Sequence, residues 1–93
     1  MNIYIDKATA RKFGLIIRSF ICRNGGNLTK YEDNNNGKLY IWAEFRNKTI
    51  RRLFSSYGGF NLLLCGFCKM YTLKNEVRIV IEYDKDAVMH YFD

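Results

Sequence analysis

Between Lys38 and Phe45 the chain alternates without a break. Leu39, Ile41, Ala43 and Phe45 fall on one side, and Lys38, Tyr40, Trp42 and Glu44 on the other. Successive side chains of an extended strand point to opposite faces, so this run specifies a strand with one apolar face and one face of rings and charge. Such a strand cannot bury its apolar side alone; it needs hydrogen-bonded neighbours and a second layer above Leu39, Ile41 and Ala43. A second run of the same period sets Val77, Ile79, Ile81 and Tyr83 against Glu76, Arg78, Val80 and Glu82. It is a strand of the same design.

The covering layer is legible upstream. Asp6 is a suitable N-cap, because its carboxylate accepts from the unpaired amides of a first helical turn. The helix it starts is expected from about Lys7 to Arg23, with Ala10, Phe13, Ile16, Ile17, Phe20 and Ile21 as the apolar stripe. Lys7, Arg11, Arg18 and Cys22 line a different side. Asn24-Gly25-Gly26 ends it, since glycine reaches the left-handed backbone that helix C-termini use. Gly14, inside the helix, costs about 1 kcal/mol relative to alanine and marks a point of close packing.

Around these elements the sequence predicts a first strand over residues 2–6, in which Ile3 and Ile5 oppose Tyr4. Residues 27–32 and 38–46 form a hairpin about the turn formers Asp33-Asn34-Asn35-Asn36-Gly37. A second helix over about Lys48 to Tyr57 buries Ile50, Leu53, Phe54 and Tyr57, exposes Lys48, Arg51, Arg52 and Ser55, and stops at Gly58-Gly59. Phe60 to Leu73 and Glu76 to Tyr83 are strands joined at Lys74-Asn75, and Asp84 caps a short C-terminal helix with Ala87, Val88, Tyr91 and Phe92. The order βαββαββ predicts one α+β domain over residues 1–93: a ferredoxin-like antiparallel sheet with two helices on one face.

Ninety-three residues are enough for one core and exclude an enzyme with separate cofactor and substrate domains. No apolar run approaches the roughly 20 residues of a membrane span. Residues 1–7, MNIYIDK, lack the basic start and apolar middle of a secretory signal. Three cysteines cannot all pair within the chain, which points to a reducing cytoplasmic setting. The formal charge is +6, and it is uneven: basic residues dominate from Lys7 to Arg52, whereas Lys74 to Asp93 is net acidic. A basic segment in a compact fold points to an anionic partner, either nucleic acid or the acidic surface of a protein or nucleoprotein.

No catalytic set emerges, and no cofactor is expected. His90 is the single histidine, no carboxylate or nucleophile pattern identifies a triad, and both Gly-Gly pairs follow helices, where a phosphate loop would precede one. Cys65-Gly66-Phe67-Cys68 sits between stretches that read as extended, so its two sulfurs point apart. A zinc site would need Cys22 and His90 as well, a scattered set, and the simpler reading is small core side chains.

If Ile3 and Ile5 face the helices, Tyr4 joins Tyr40 and Trp42 on the open face, with Lys38 at their edge. Ile3-Tyr4-Ile5 and Lys38-Leu39-Tyr40-Ile41-Trp42-Ala43-Glu44-Phe45 resemble the two strand motifs of the RNA recognition motif. The longer stretch keeps a basic first position and aromatics third, fifth and eighth, and departs from the pattern at Leu39 and Ile41. The resemblance implies a sheet whose first and third strands lie side by side and stack bases on Tyr4, Tyr40 and Trp42. The alternatives for these rings are a second small core or a homodimer interface.

Two functions follow as expectations. The first is a non-enzymatic binding protein that engages nucleic acid, RNA or single strands, through Lys7, Arg11, Arg18, Lys48, Arg51 and Arg52, with Tyr4, Lys38, Tyr40 and Trp42 as a ring platform. The second is a phage-type counter-defence inhibitor, anti-CRISPR-like, that occludes a nucleoprotein or nuclease in a host cytoplasm. The richness in Asn, Lys, Ile and Tyr, as in AT-rich genomes, suits both.

Overall fold

The computed structural model describes residues 5–46 and 68–86. They comprise a helix α1 (Lys7–Arg23) and four strands: β1 (Asn27–Asp33), β2 (Lys38–Glu44), β3 (Cys68–Leu73) and β4 (Glu76–Glu82). The strands form one antiparallel sheet in the order β1-β2-β4-β3.

α1 starts where its cap dictates. Asp6 has extended backbone, and its Oδ1 accepts from the Thr9 amide at 3.2 Å. Hydrogen bonds from Thr9, the side-chain one foremost, hold the Asp6 carboxyl below its ordinary pKa against the opposing effect of burial. At the other end the Gly26 amide donates to the Ile21 carbonyl at 2.8 Å, and Gly25 takes φ +78°. The buried line of the helix is Ala10, Gly14, Ile17 and Ile21, with Phe13 and Phe20 packed at its side. Ile16, expected in that stripe, is instead 56% exposed. The reason is Gly14. A Cβ there would lie 2.6 Å from Leu39 Cδ2 and 2.7 Å from the Tyr31 hydroxyl, so the bare glycine lets the helix settle onto the sheet along its own line. At about 100° per residue, that rotation carries Ile16 away from the core.

The sheet's inner face matches the alternation: Leu39, Ile41, Ala43, Val77, Ile79 and Ile81 are all buried, and Phe45 and Tyr83 extend the core at its ends. The β1–β2 turn is held by side chains standing in for backbone. Asn34 Oδ1 accepts from the Asn36 and Lys38 amides at 2.8 and 3.0 Å, while Asn35 and Gly37 supply the positive φ values. β1 carries a bulge between Leu28 and Lys30, which disrupts the ladder at that sheet edge. Lys74 closes the β3–β4 turn with φ +47°.

The expected ferredoxin-like, two-helix βαββαββ layout is not the architecture found. The described residues hold one helix, and β2 has β1 and β4 as its two neighbours. The place beside β2 that the expectation gave to residues 2–6 is occupied by β4. Its antiparallel partnership with β2 runs the full length from Lys38↔Glu82 to Glu44↔Glu76. Of the expected first strand, Ile5 and Asp6 are described, and Asp6 makes only an isolated parallel bridge to Asp84, past the end of β4. The β2–β4 ladder of seven residue pairs, with Val77, Ile79 and Ile81 on the buried face, gives β4 its place beside β2. The helix expected over residues 48–57, the strand residues 60–67 and the C-terminal helix lie outside the described residues.

Candidate nucleic-acid interface

α1 carries Lys7, Arg11, Lys12, Arg18 and Arg23 and no carboxylate. Lys7, Arg11 and Arg18 recur at spacings of four and seven, so they share one flank of the helix. That flank leans over the β1 edge and the β1–β2 turn. The Lys7 ammonium donates to Asn35 Oδ1 at 2.8 Å, Arg11 Nε lies 3.6 Å from Asp33 Oδ2, and the Arg18 guanidinium sits 5.1 Å from the Tyr31 ring centroid. Lys12 and Arg23 stand further round, exposed, beside the exposed Leu15 and Ile16.

Asp33 organises this corner. Its Oδ1 accepts from the Tyr83 hydroxyl and from the Asn35 amide at 2.8 Å. Its Oδ2 is buried and has only the longer ionic contact to Arg11. Burial raises the Asp33 pKa, but the Tyr83 hydrogen bond, the Asn35 amide, Lys7 and Arg11 together outweigh it and leave the carboxyl below its ordinary value. Burial first, and then the bond to Asp33, push the Tyr83 hydroxyl up. Its proton therefore stays on the phenol at neutral pH. Sequence reading assigned Asp33 to a turn and Tyr83 to a strand end; neither position signals that the two meet.

The opposite face of the sheet is a different surface. Antiparallel partners share a face, so the register places Asn27, Lys30, Glu32, Lys38, Tyr40, Trp42, Glu44, Lys69, Tyr71, Leu73, Glu76, Arg78, Val80 and Glu82 there. Its four cations are matched by four carboxylates, and Lys30–Glu32, Lys69–Glu82 and Arg78–Glu76 pair directly. Trp42 lies between cations from both neighbouring strands: Arg78 at 3.9 Å and Lys30 at 4.5 Å from its ring centroid. Lys30 also lies 5.2 Å from the Tyr40 ring. Tyr40 and Trp42 do share the open face, as their alternation requires. Trp42 is thus held between two cations, and Tyr4, the third ring of the expected platform, lies outside the described residues.

Tyr4, Lys48, Arg51, Arg52, Cys65 and His90 lie outside the described residues. Of the remaining cysteines, Cys22 is exposed on α1 and Cys68 is buried at the start of β3, opposite Ile81. No three His, Cys, Asp or Glu side chains converge as a metal site among the described residues. No helix among them is long and apolar enough to cross a membrane. No family model matches the chain, and neither the curated proteins nor the solved structures contain a match to it.

Proposed function

We propose that the protein is a non-enzymatic, cytoplasmic binding protein that engages nucleic acid through phosphate contacts made by α1. The observation that carries this reading is the charge of α1, five cations without a carboxylate, set against a sheet face whose charges cancel. Phosphates are recognised by such point charges without base readout, so the contact is expected to be largely independent of sequence. RNA and single strands remain the favoured ligands of the reading, with α1 rather than the rings as the contact surface.

Binding of labelled single-stranded and duplex oligonucleotides, followed by fluorescence anisotropy across a salt series, tests it. Log affinity should fall linearly with log salt, by about 0.7–0.9 per phosphate neutralised. Lys12→Glu with Arg23→Glu, two exposed positions outside the Asp33 corner, should weaken binding by about tenfold or more, as several ionic contacts are lost or reversed. Wild-type protein that binds no oligonucleotide at low salt refutes the reading.

A second reading is favoured by Leu15 and Ile16, 49% and 56% exposed among those cations. Phosphates offer nothing to two branched apolar side chains, whereas an acidic protein surface with an apolar centre does. This is the counter-defence inhibitor. Leu15→Ser with Ile16→Ser separates the two readings, because it removes the apolar contact a protein partner would use and leaves the charge of α1 unchanged, so docking on a protein is lost and phosphate binding is retained.

A further inference from the structure

We infer that the open face of the sheet is a two-fold interface between copies of this chain. The occupant is read from the register. Across the strand order β1-β2-β4-β3, one row of side chains is Glu32, Tyr40, Val80, Lys69, and the next is Lys30, Trp42, Arg78, Tyr71. A two-fold axis lying along the strands and passing between β2 and β4 exchanges β2 with β4 and β1 with β3, and so lays each row on its own reverse.

These two central rows are then their own complements. In the first, Glu32 meets the partner's Lys69 and Tyr40 meets the partner's Val80. In the second, Lys30 meets the partner's Tyr71 and Trp42 meets the partner's Arg78, a cation against a ring at all four positions. Lys38 meets the partner's Glu82. The end row, Asn27, Glu44, Glu76, Leu73, does not complement itself: it sets Glu44 on the partner's Glu76 and Leu73 on the partner's Asn27, at the margin of the face, where Glu76 is already held by Arg78 at 2.5 Å.

The apolar content fits the same occupant. Tyr71, 54% exposed and set against the partner's Lys30, is a large ring that this face leaves in solvent among the described residues. A nucleic acid would find no net positive charge here. With strands about 4.8 Å apart and about 3.3 Å per residue, the footprint is roughly 400 Å² per copy, which places the dimer among weak, concentration-dependent ones. The arrangement is helix, sheet, sheet, helix, with both α1 surfaces facing outward. It stands or falls independently of the nucleic-acid reading.

Sedimentation equilibrium of the purified chain from about 1 µM to about 1 mM, the range in which an interface of this size associates, tests the proposal. A monomer–dimer equilibrium is expected. Glu32→Lys alone sets lysine against lysine at two symmetric contacts, and Lys69→Glu alone sets glutamate against glutamate. Each should weaken self-association by about tenfold or more, since opposed like charges are penalised on both halves of the interface. An equimolar mixture of the two variants restores both contacts as a heterodimer and should associate within a few-fold of wild type. Both positions are exposed, so circular dichroism melts should stay near wild type. A wild type that remains monomeric throughout, single variants that dimerise as tightly as wild type, or a mixture no tighter than its components would each overturn the proposal.

Discussion

Gly14→Ala isolates the contact that seats the helix on the sheet. In an exposed helix interior this change gains about 1 kcal/mol, because alanine orders at lower entropic cost. Here the added Cβ would come to 2.6 Å from Leu39 Cδ2 and 2.7 Å from the Tyr31 hydroxyl, both inside van der Waals contact. Tyr31 is half-buried and can swing aside, but Leu39 is 2% exposed and enclosed by the core. Overpacking of this kind costs about 1–3 kcal/mol, so the net expectation is a loss of about 1 kcal/mol. For a domain of this length that is a fall in Tm of about 4–8 °C. Thermal unfolding by far-ultraviolet circular dichroism measures it. In a Leu39→Ala background, where the nearest clash is gone, the same substitution should cost less or become favourable, a coupling of the kind that neighbouring sites show. A rise in Tm for Gly14→Ala in the wild-type background would refute the close approach.

The remaining expectations concern charge. The folded-state pKa of Asp33 lies below its unfolded value, so its contribution is complete above about pH 4 and is lost as the pH falls through the folded value. Asp33→Asn should therefore lower the urea midpoint at pH 7, and the gap from wild type should narrow at pH 3; an equal gap at both would contradict the assignment. On the open face, Arg78→Gln removes the nearer cation from the single tryptophan and should cost about 0.5–1 kcal/mol with a shift in Trp42 emission. Lys38→Gln, on the same face and with no cation–ring contact among the described residues, serves as the control. Oligonucleotide added to wild type should leave that emission unchanged, because Trp42 faces away from α1.

The local elements were legible because their causes are local. The Asp6 cap and the Asn24-Gly25-Gly26 stop bound α1 at Lys7 and Arg23, and the two-residue period sorted the faces of β2 and β4 residue by residue. What stayed hidden depends on partners distant in the chain. Periodicity tells that β2 needs neighbours but not which ones, and β4, with the same pattern and full length, took the place assigned to residues 2–6. Likewise a stripe of six apolar residues does not say which line a helix buries. Gly14, with no side chain to contribute to a pattern, decided against Ile16. At the candidate site, the flank of Lys7, Arg11 and Arg18 could be read from spacing. Lys30 and Arg78 beside Trp42, and Tyr83 beside Asp33, required the register.

The strand order also bears on how fast the chain reaches its native state. β1–β2 and β3–β4 are hairpins closed by a few turn residues, whereas the β2–β4 ladder joins segments from opposite halves of the sequence. Short loops close at small entropic cost and the long one does not, so the central seam is the natural bottleneck. Trimming Ile41 or Ile79, which face each other across it, should slow refolding, while trimming Leu28 or Met70 on the outer strands should chiefly hasten unfolding, a difference that chevron plots resolve. Two quick hairpins waiting on one slow junction would leave the facing edges of β2 and β4 unpaired during synthesis until the seam closes.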